Sequence, residues 1–189
     1  MSSLVVRHLS LTRGTVSLFE NLDLALQAGD ALRVTGANGS GKSSLLRTLA
    51  GLLTPTTGDV RIDGRLGWLG HRNALSPRRT LAQEFAGWLG RPPRGDAMGV
   101  ASLLSVPIGI LSQGQQRRAA LWLLAEEDAD IWLMDEPGAA LDSEGRARLA
   151  AMIQNHRDHG GIIVAATHGE TDLPDARTLT LSRQAGVSG

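Results

Sequence analysis

The chain has 189 residues, 42% of them hydrophobic and 20% charged, and its 19 basic and 19 acidic residues leave a formal net charge of zero. That length suits one domain able to bury a substantial core without disulfides or a structural metal, and the neutral balance gives no bulk electrostatic case for a nucleic-acid partner. Cysteine is absent, which excludes disulfide and thiol chemistry and fits a reducing compartment; no apolar run approaches the about 20 residues of a bilayer span, and no signal-peptide pattern opens the chain, so membrane association is expected through a partner and not by direct insertion.

In chain order, short β-prone runs come first: SLVVRHLSL (3–11), VSLFENLDLAL (16–26), DALRVTG (30–36) and GDVRIDGR (58–65). They predict a strand-rich N-terminal layer. Helices are expected at 42–53, 80–89, 112–127 and 143–156, interleaved with strands in the order that yields an α/β fold with a parallel sheet. From about 72 to 110 the pattern weakens, with LSPRR and GRPPRG interrupting two short helical stretches. That stretch reads as an inserted helical subdomain, extending over about 72–127 once the next helix is included, within a single domain of 1–189. The tail QAGVSG is expected to fray.

Three runs share one design: ALRVTGANGSGKSS, IWLMDEP and GIIVAATHGE each pass abruptly from β-prone apolar residues to polar ones. Each predicts a buried parallel strand with its functional groups at the carboxyl end, the edge where open α/β sheets bind ligands. Lys42, Asp135, Glu136 and His168 are therefore expected to meet at one place.

Gly36, Ala37, Asn38, Gly39, Ser40, Gly41, Lys42 and Ser43, followed by Ser44, fit the phosphate-binding pattern G-x-x-x-x-G-K-[ST] between a predicted strand and a predicted helix. Glycines let the backbone curl so that successive N–H groups point inward, and the helix start adds its positive end. Lys42 is the only lysine, every other basic residue being arginine. A compact ammonium suits a closed loop around phosphate better than a planar guanidinium. The Ser43 hydroxyl suits Mg²⁺.

In IWLMDEP, Asp135 is expected to hold Mg²⁺ through water and Glu136 to orient or deprotonate the attacking water. His168 is a candidate donor to the γ-phosphate. His8, His156 and His159 have no such context. In LSQGQQRR, Ser112 and Gln115 form an S-x-x-Q capping box worth about 1 kcal/mol, which accounts for both residues without a ligand. It leaves unexplained a glycine, Gly114, in the first helical turn, where an anion at the helix N-terminus would explain it.

The phosphate loop GANGSGKS, the signature LSQGQ, the acid pair in IWLMDEP, the ALD of 140–142 and the ATH of 166–168 resemble, in order, the nucleotide-binding subunits of ABC transporters. The resemblance spans nearly the whole chain. It implies a P-loop NTPase ABC-ATPase fold with a RecA-like parallel core, an N-terminal antiparallel β layer and an inserted helical subdomain. It further implies a homodimer sandwiching two ATP molecules with Mg²⁺, in which Ser112, Gln113, Gly114, Gln115 and Asp142 serve the ATP held by the partner's Lys42. Integral membrane transporter subunits would be the partners, at the cytoplasmic face of a bacterial inner membrane.

Three positions depart from that pattern. The residue expected to stack on adenine falls near Arg13 in a chain with no tyrosine, leaving Arg13 or Phe19 for the base. Ala139 stands where serine is frequent. His71 replaces the usual glutamine that senses Mg²⁺ and water, and the GH pair around it is similar to the ATP-binding subunit of the cytochrome c biogenesis haem exporter. Another exporter with different cargo, a soluble ABC protein acting on nucleic acid or ribosomes, and a regulator without turnover are the competing readings.

Overall fold

The computed structural model describes residues 2–167 and 171–182. Two sheets organise it. The first is antiparallel, in the order β2-β1-β4, from β1 (Ser3–Arg13), β2 (Val16–Gln27) and β4 (Thr57–Asp63). Along β1, Leu4, Val6, Leu9 and Leu11 turn inward, and the register shifts between Val6 and Leu9 so that the apolar face is kept across an irregularity at His8.

The second sheet is parallel throughout, in the order β5-β6-β7-β3-β8, from β3 (Ala31–Gly36), β5 (Leu66–Leu69), β6 (Ile131–Asp135), β7 (Ile162–Ala166) and β8 (Arg177–Leu181). Strands β6 and β7 are buried along their whole length, as their unbroken apolar sequences require. Their period-2 alternation divides the interior. Ile131, Leu133, Ile162 and Val164 join Leu45, Leu46 and Leu49 of α1 (Lys42–Leu49) and the inward face of β1. Trp132, Met134, Ile163 and Ala165 face the other way, onto α3 (Gln113–Glu126) and α4 (Ser143–Asp158). Each fully buried leucine or isoleucine contributes about 1.5–3 kcal/mol, so both layers are held firmly under the carboxyl edge of the sheet.

The expected fold class is the one found, with local differences. Helix α1 stops at Leu49, short of 53, because Gly51 takes φ +71° and the Leu52 N–H turns back to the Arg47 carbonyl. Strands β5 and β8 were not expected: β5 is four residues of LGWL, and β8 lies at the sheet edge, where RTLTL is mostly exposed. The weakly patterned stretch holds one helix, α2 (Leu81–Leu89), and 3₁₀ turns at Ala101–Leu103 and Ile108–Ile110. Thr80 and Gln83 cap α2 reciprocally, and Phe85 packs its ring 4.6 Å from that of Trp122 on α3.

Candidate functional site

The loop after β3 is shaped by three glycines at positive φ: Gly36 (+143°), Gly39 (+77°) and Gly41 (+104°). At Gly36 a Cβ would lie 2.4 Å from the Leu181 carbonyl oxygen and 2.5 Å from Ser40 Oγ, so only glycine lets the loop leave the sheet there. Thr80, Ser112 and Asp142 cap α2, α3 and α4 with side-chain oxygens, but α1 begins at Gly41 with no side-chain cap and no acidic residue in its first turn. A helix start left in this state suits an anion, and the curled loop before it supplies further N–H groups. Lys42 is buried, with 7% of its surface exposed, and its Nζ donates to the carbonyls of Gly36 (2.9 Å) and Ala37 (3.3 Å).

The acid pair sits at the end of β6. Asp135 is 2% exposed and Glu136 follows at φ +52°, its N–H donating to the Ala166 carbonyl of β7 at 2.8 Å. Arg13, Asn38, Lys42, His71, Asp135 and Glu136 line one cleft of about 610 Å³. Gly39, Gly41, Ser43 and Ser44 complete its loop side, while Gly36, Ala37 and Ser40 form the body of the loop behind it. Lys42, Asp135 and Glu136 thus meet as the strand-end design required, joined by Arg13 from β1 and His71 from the turn after β5. His168 lies outside the described residues. Phe19 is buried in the core beside Gly41, so it is not available to a base, and its neighbour Leu18 lines the cleft instead. Among the described residues, no group of three or more His, Asp or Glu side chains stands ready to hold a metal ion alone.

Ser112, Gly114, Gln115 and Asp142 line a different cleft, of about 470 Å³, with Ala140 and Arg118. Gln113 is exposed at the start of α3. The capping box is formed in both directions: Gln115 N–H donates to Ser112 Oγ (3.2 Å) and Ser112 N–H to Gln115 Oε1 (2.9 Å). Gly114 has a reason within the chain itself, since a Cβ there would lie 2.7 Å from the Ala140 carbonyl oxygen. Asp142 caps α4 through the Gly145 N–H (2.8 Å) and accepts from Arg118. Those two hydrogen bonds, Arg118's first, hold its carboxyl below the usual carboxylate range.

Sequence reasoning missed Arg117. It is 3% exposed, and its N–H groups donate to the carbonyls of Asp135, Glu136, Pro137 and Gly70 and to Asn73 Oδ1. Burial pulls its pKa down to about 10, partly opposed by the charges of Asp135 and Glu136, so it stays cationic at neutral pH. Its spacing from Ala120 and Leu121 carried a signal: i+3 and i+4 on the buried face of α3.

The family described as ABC transporter matches residues 19–139. The chain is 42% identical to the cytochrome c biogenesis ATP-binding export protein CcmA of Rhizobium meliloti, with 95% of this chain and 97% of that one covered. It is 40% identical to the protein of the same name from Maricaulis maris, over 95% and 92%. Among solved structures, an ABC transporter ATP-binding protein from Pyrococcus furiosus superposes with a TM-score of 0.80 at 21% identity, over 95% of this chain and 97% of that one. An ATP-binding cassette solved as a dimer in a post-hydrolysis state with ADP and Pi gives 0.80 at 21%, over 95% and 94%.

Proposed function

Because the chain belongs to the ABC transporter family, we propose that it binds and hydrolyses ATP as one of two identical subunits, docked on integral membrane subunits, and energises haem export or haem-chaperone release in cytochrome c maturation. One observation carries the ATPase part: the phosphate loop with the acid pair, and the signature residues with Asp142, line two separate clefts of one chain. A head-to-tail pair brings one cleft of each kind together on each ATP. The haem part rests on the names of the relatives and on the His71 departure. No helix among the described residues is long and apolar enough to cross a membrane. The inserted helical subdomain, about 72–127, would offer Trp88, 59% exposed on α2, to the membrane subunits.

In this reading Lys42 and the loop N–H groups hold the terminal phosphates, and Arg13 offers its guanidinium face to adenine. The uncapped start of α1 fits an anion, and the Ser43 and Asp135 oxygens fit a hard cation. Mg²⁺, when bound, neutralises charge on the phosphates. Imidazole nitrogen is a poor match for Mg²⁺, so His71 serves better as a contact to water or phosphate than as a ligand. Glu136 orients or deprotonates the water, and His168 donates to the γ-phosphate. Ser112, Gln113, Gly114 and Gln115 reach the partner's nucleotide, and hydrolysis releases the pair.

The test is affinity purification from native membranes, followed by spectroscopy of the co-purified subunits. Haem absorbance supports the full proposal. Membrane partners without haem would leave the ATPase reading and sink the haem reading in favour of another cargo.

A further inference from the structure

Arginine has five N–H donors, and Arg117 uses all of them on one small region. Nε donates to the Pro137 carbonyl (3.3 Å), Nη1 to the Gly70 carbonyl (2.9 Å) and Asn73 Oδ1 (3.0 Å), and Nη2 to the carbonyls of Asp135 (2.6 Å) and Glu136 (2.7 Å). These acceptors belong to two segments. Gly70 and Asn73 flank His71 in the turn that leaves β5, and Asp135, Glu136 and Pro137 are the end of β6. The guanidinium itself rides on α3, the helix whose first residues carry the signature, five positions after the Ser112 cap. One buried cation therefore bonds the His71 turn, the acid-pair backbone and the signature helix to each other.

From this geometry we infer that Arg117 is a positioning residue for ATP hydrolysis: it fixes Glu136 and His71 relative to each other and ties both to the orientation of the signature helix. The inference rests on the ATPase reading above. Glu136 shows why a strut is needed there. A non-glycine residue at φ +52° sits in a sparsely populated region and persists only when its surroundings over-determine it. Here its N–H is held by Ala166 and its carbonyl by Arg117. Arg117 contacts no residue of the 36–44 loop through these bonds, so its influence falls on the water-activating side of the cleft rather than on phosphate binding. Lysine, with three donors on one nitrogen, cannot span both segments.

The test uses the full chain, with steady-state hydrolysis of Mg-ATP, equilibrium binding of ATP and hydrogen exchange read together. In Arg117→Gln, kcat is expected to fall about 10- to 100-fold, the effect of a misplaced group, with ATP affinity within about twofold of wild type. Exchange should rise together in peptides covering 68–76 and 133–139 and stay unchanged over 36–45. Arg117→Lys should fall between the two. Asn73→Ala removes one acceptor from a half-buried side chain and keeps the core charge, so it should lower kcat in the same direction if Arg117→Gln does not fold. Unchanged kcat in both folded variants would overturn the inference, and so would equal losses of kcat, ATP affinity and melting temperature, which mark a purely structural role. A wild-type chain that binds no ATP would overturn the ATPase reading instead, while the paired rise in exchange would still establish the strut.

Discussion

Lys42 turns its ammonium back onto the loop that carries it, with Nζ 2.9 Å from the Gly36 carbonyl oxygen, in a place where the residue is 7% exposed. The space is that of a compact cation on a flexible stem. A guanidinium brings a planar fork whose donors the two loop carbonyls cannot satisfy. Lys42→Arg, although it keeps the charge, should therefore weaken ATP binding at least about tenfold, equal to 1.4 kcal/mol. Titration calorimetry with ATP checks it; near wild-type affinity and turnover would show that shape does not matter here.

Glu136→Gln keeps the size of the side chain and the backbone bonds at 136, and removes only the carboxylate. Hydrolysis should fall about 10²- to 10⁴-fold with ATP affinity preserved. With hydrolysis blocked, the ATP-bound pair should persist and elute as a dimer on size exclusion. A variant that stays monomeric at saturating ATP would remove the case for the sandwich.

Gly114→Ala sets two effects against each other. Alanine gains about 1 kcal/mol of helix propensity, while its Cβ, 2.7 Å from the Ala140 carbonyl oxygen, forces a shift costing about 1–3 kcal/mol. The free chain should change stability by no more than about 2 kcal/mol in denaturant titrations. ATP-driven pairing in the Glu136→Gln background should be lost, because the displaced segment carries the ALD of 140–142.

Trp88 donates its indole N–H to Glu84 at 3.0 Å while 59% of the residue remains exposed. If α2 faces the membrane subunits, Trp88→Ala should reduce co-purification with them strongly, as loss of an aromatic anchor does, by about 30-fold in affinity or more. Trp88→Phe should retain part of it. ATP binding should not move in either variant.

His156 stacks on Trp132 at 3.7 Å between ring centroids, and burial pushes its pKa below the ordinary 6.5. The unfolded chain then binds the proton first. Stability from the neutral ring is complete above about pH 6.5 and is lost as pH falls from there through the lower folded pKa. Denaturant titrations between pH 7 and 5 should show this loss, and His156→Phe, which keeps a flat ring on Trp132, should show a shallower slope. An identical slope would assign the acid sensitivity to other groups.

The phosphate loop, the acid pair and the capping box of α3 were legible in the sequence because each is local: glycines that take positive φ, an apolar run ending in carboxylates, a serine three residues before a glutamine. The buried strands β3, β6 and β7 were legible for the same reason. Strands β5 and β8 were not, since four residues of LGWL or five of RTLTL become strands only when β6 and β3 offer them a ladder. The sequence resemblance implied that Ser112 and Asp142 would serve a different nucleotide from Lys42; that they line a separate cleft is a product of packing. Arg117 marks the boundary most clearly. Its five acceptors are four main-chain carbonyls and one amide oxygen, from segments 18 and more residues away in sequence, and a carbonyl has no letter in the code by which to announce what it will hold.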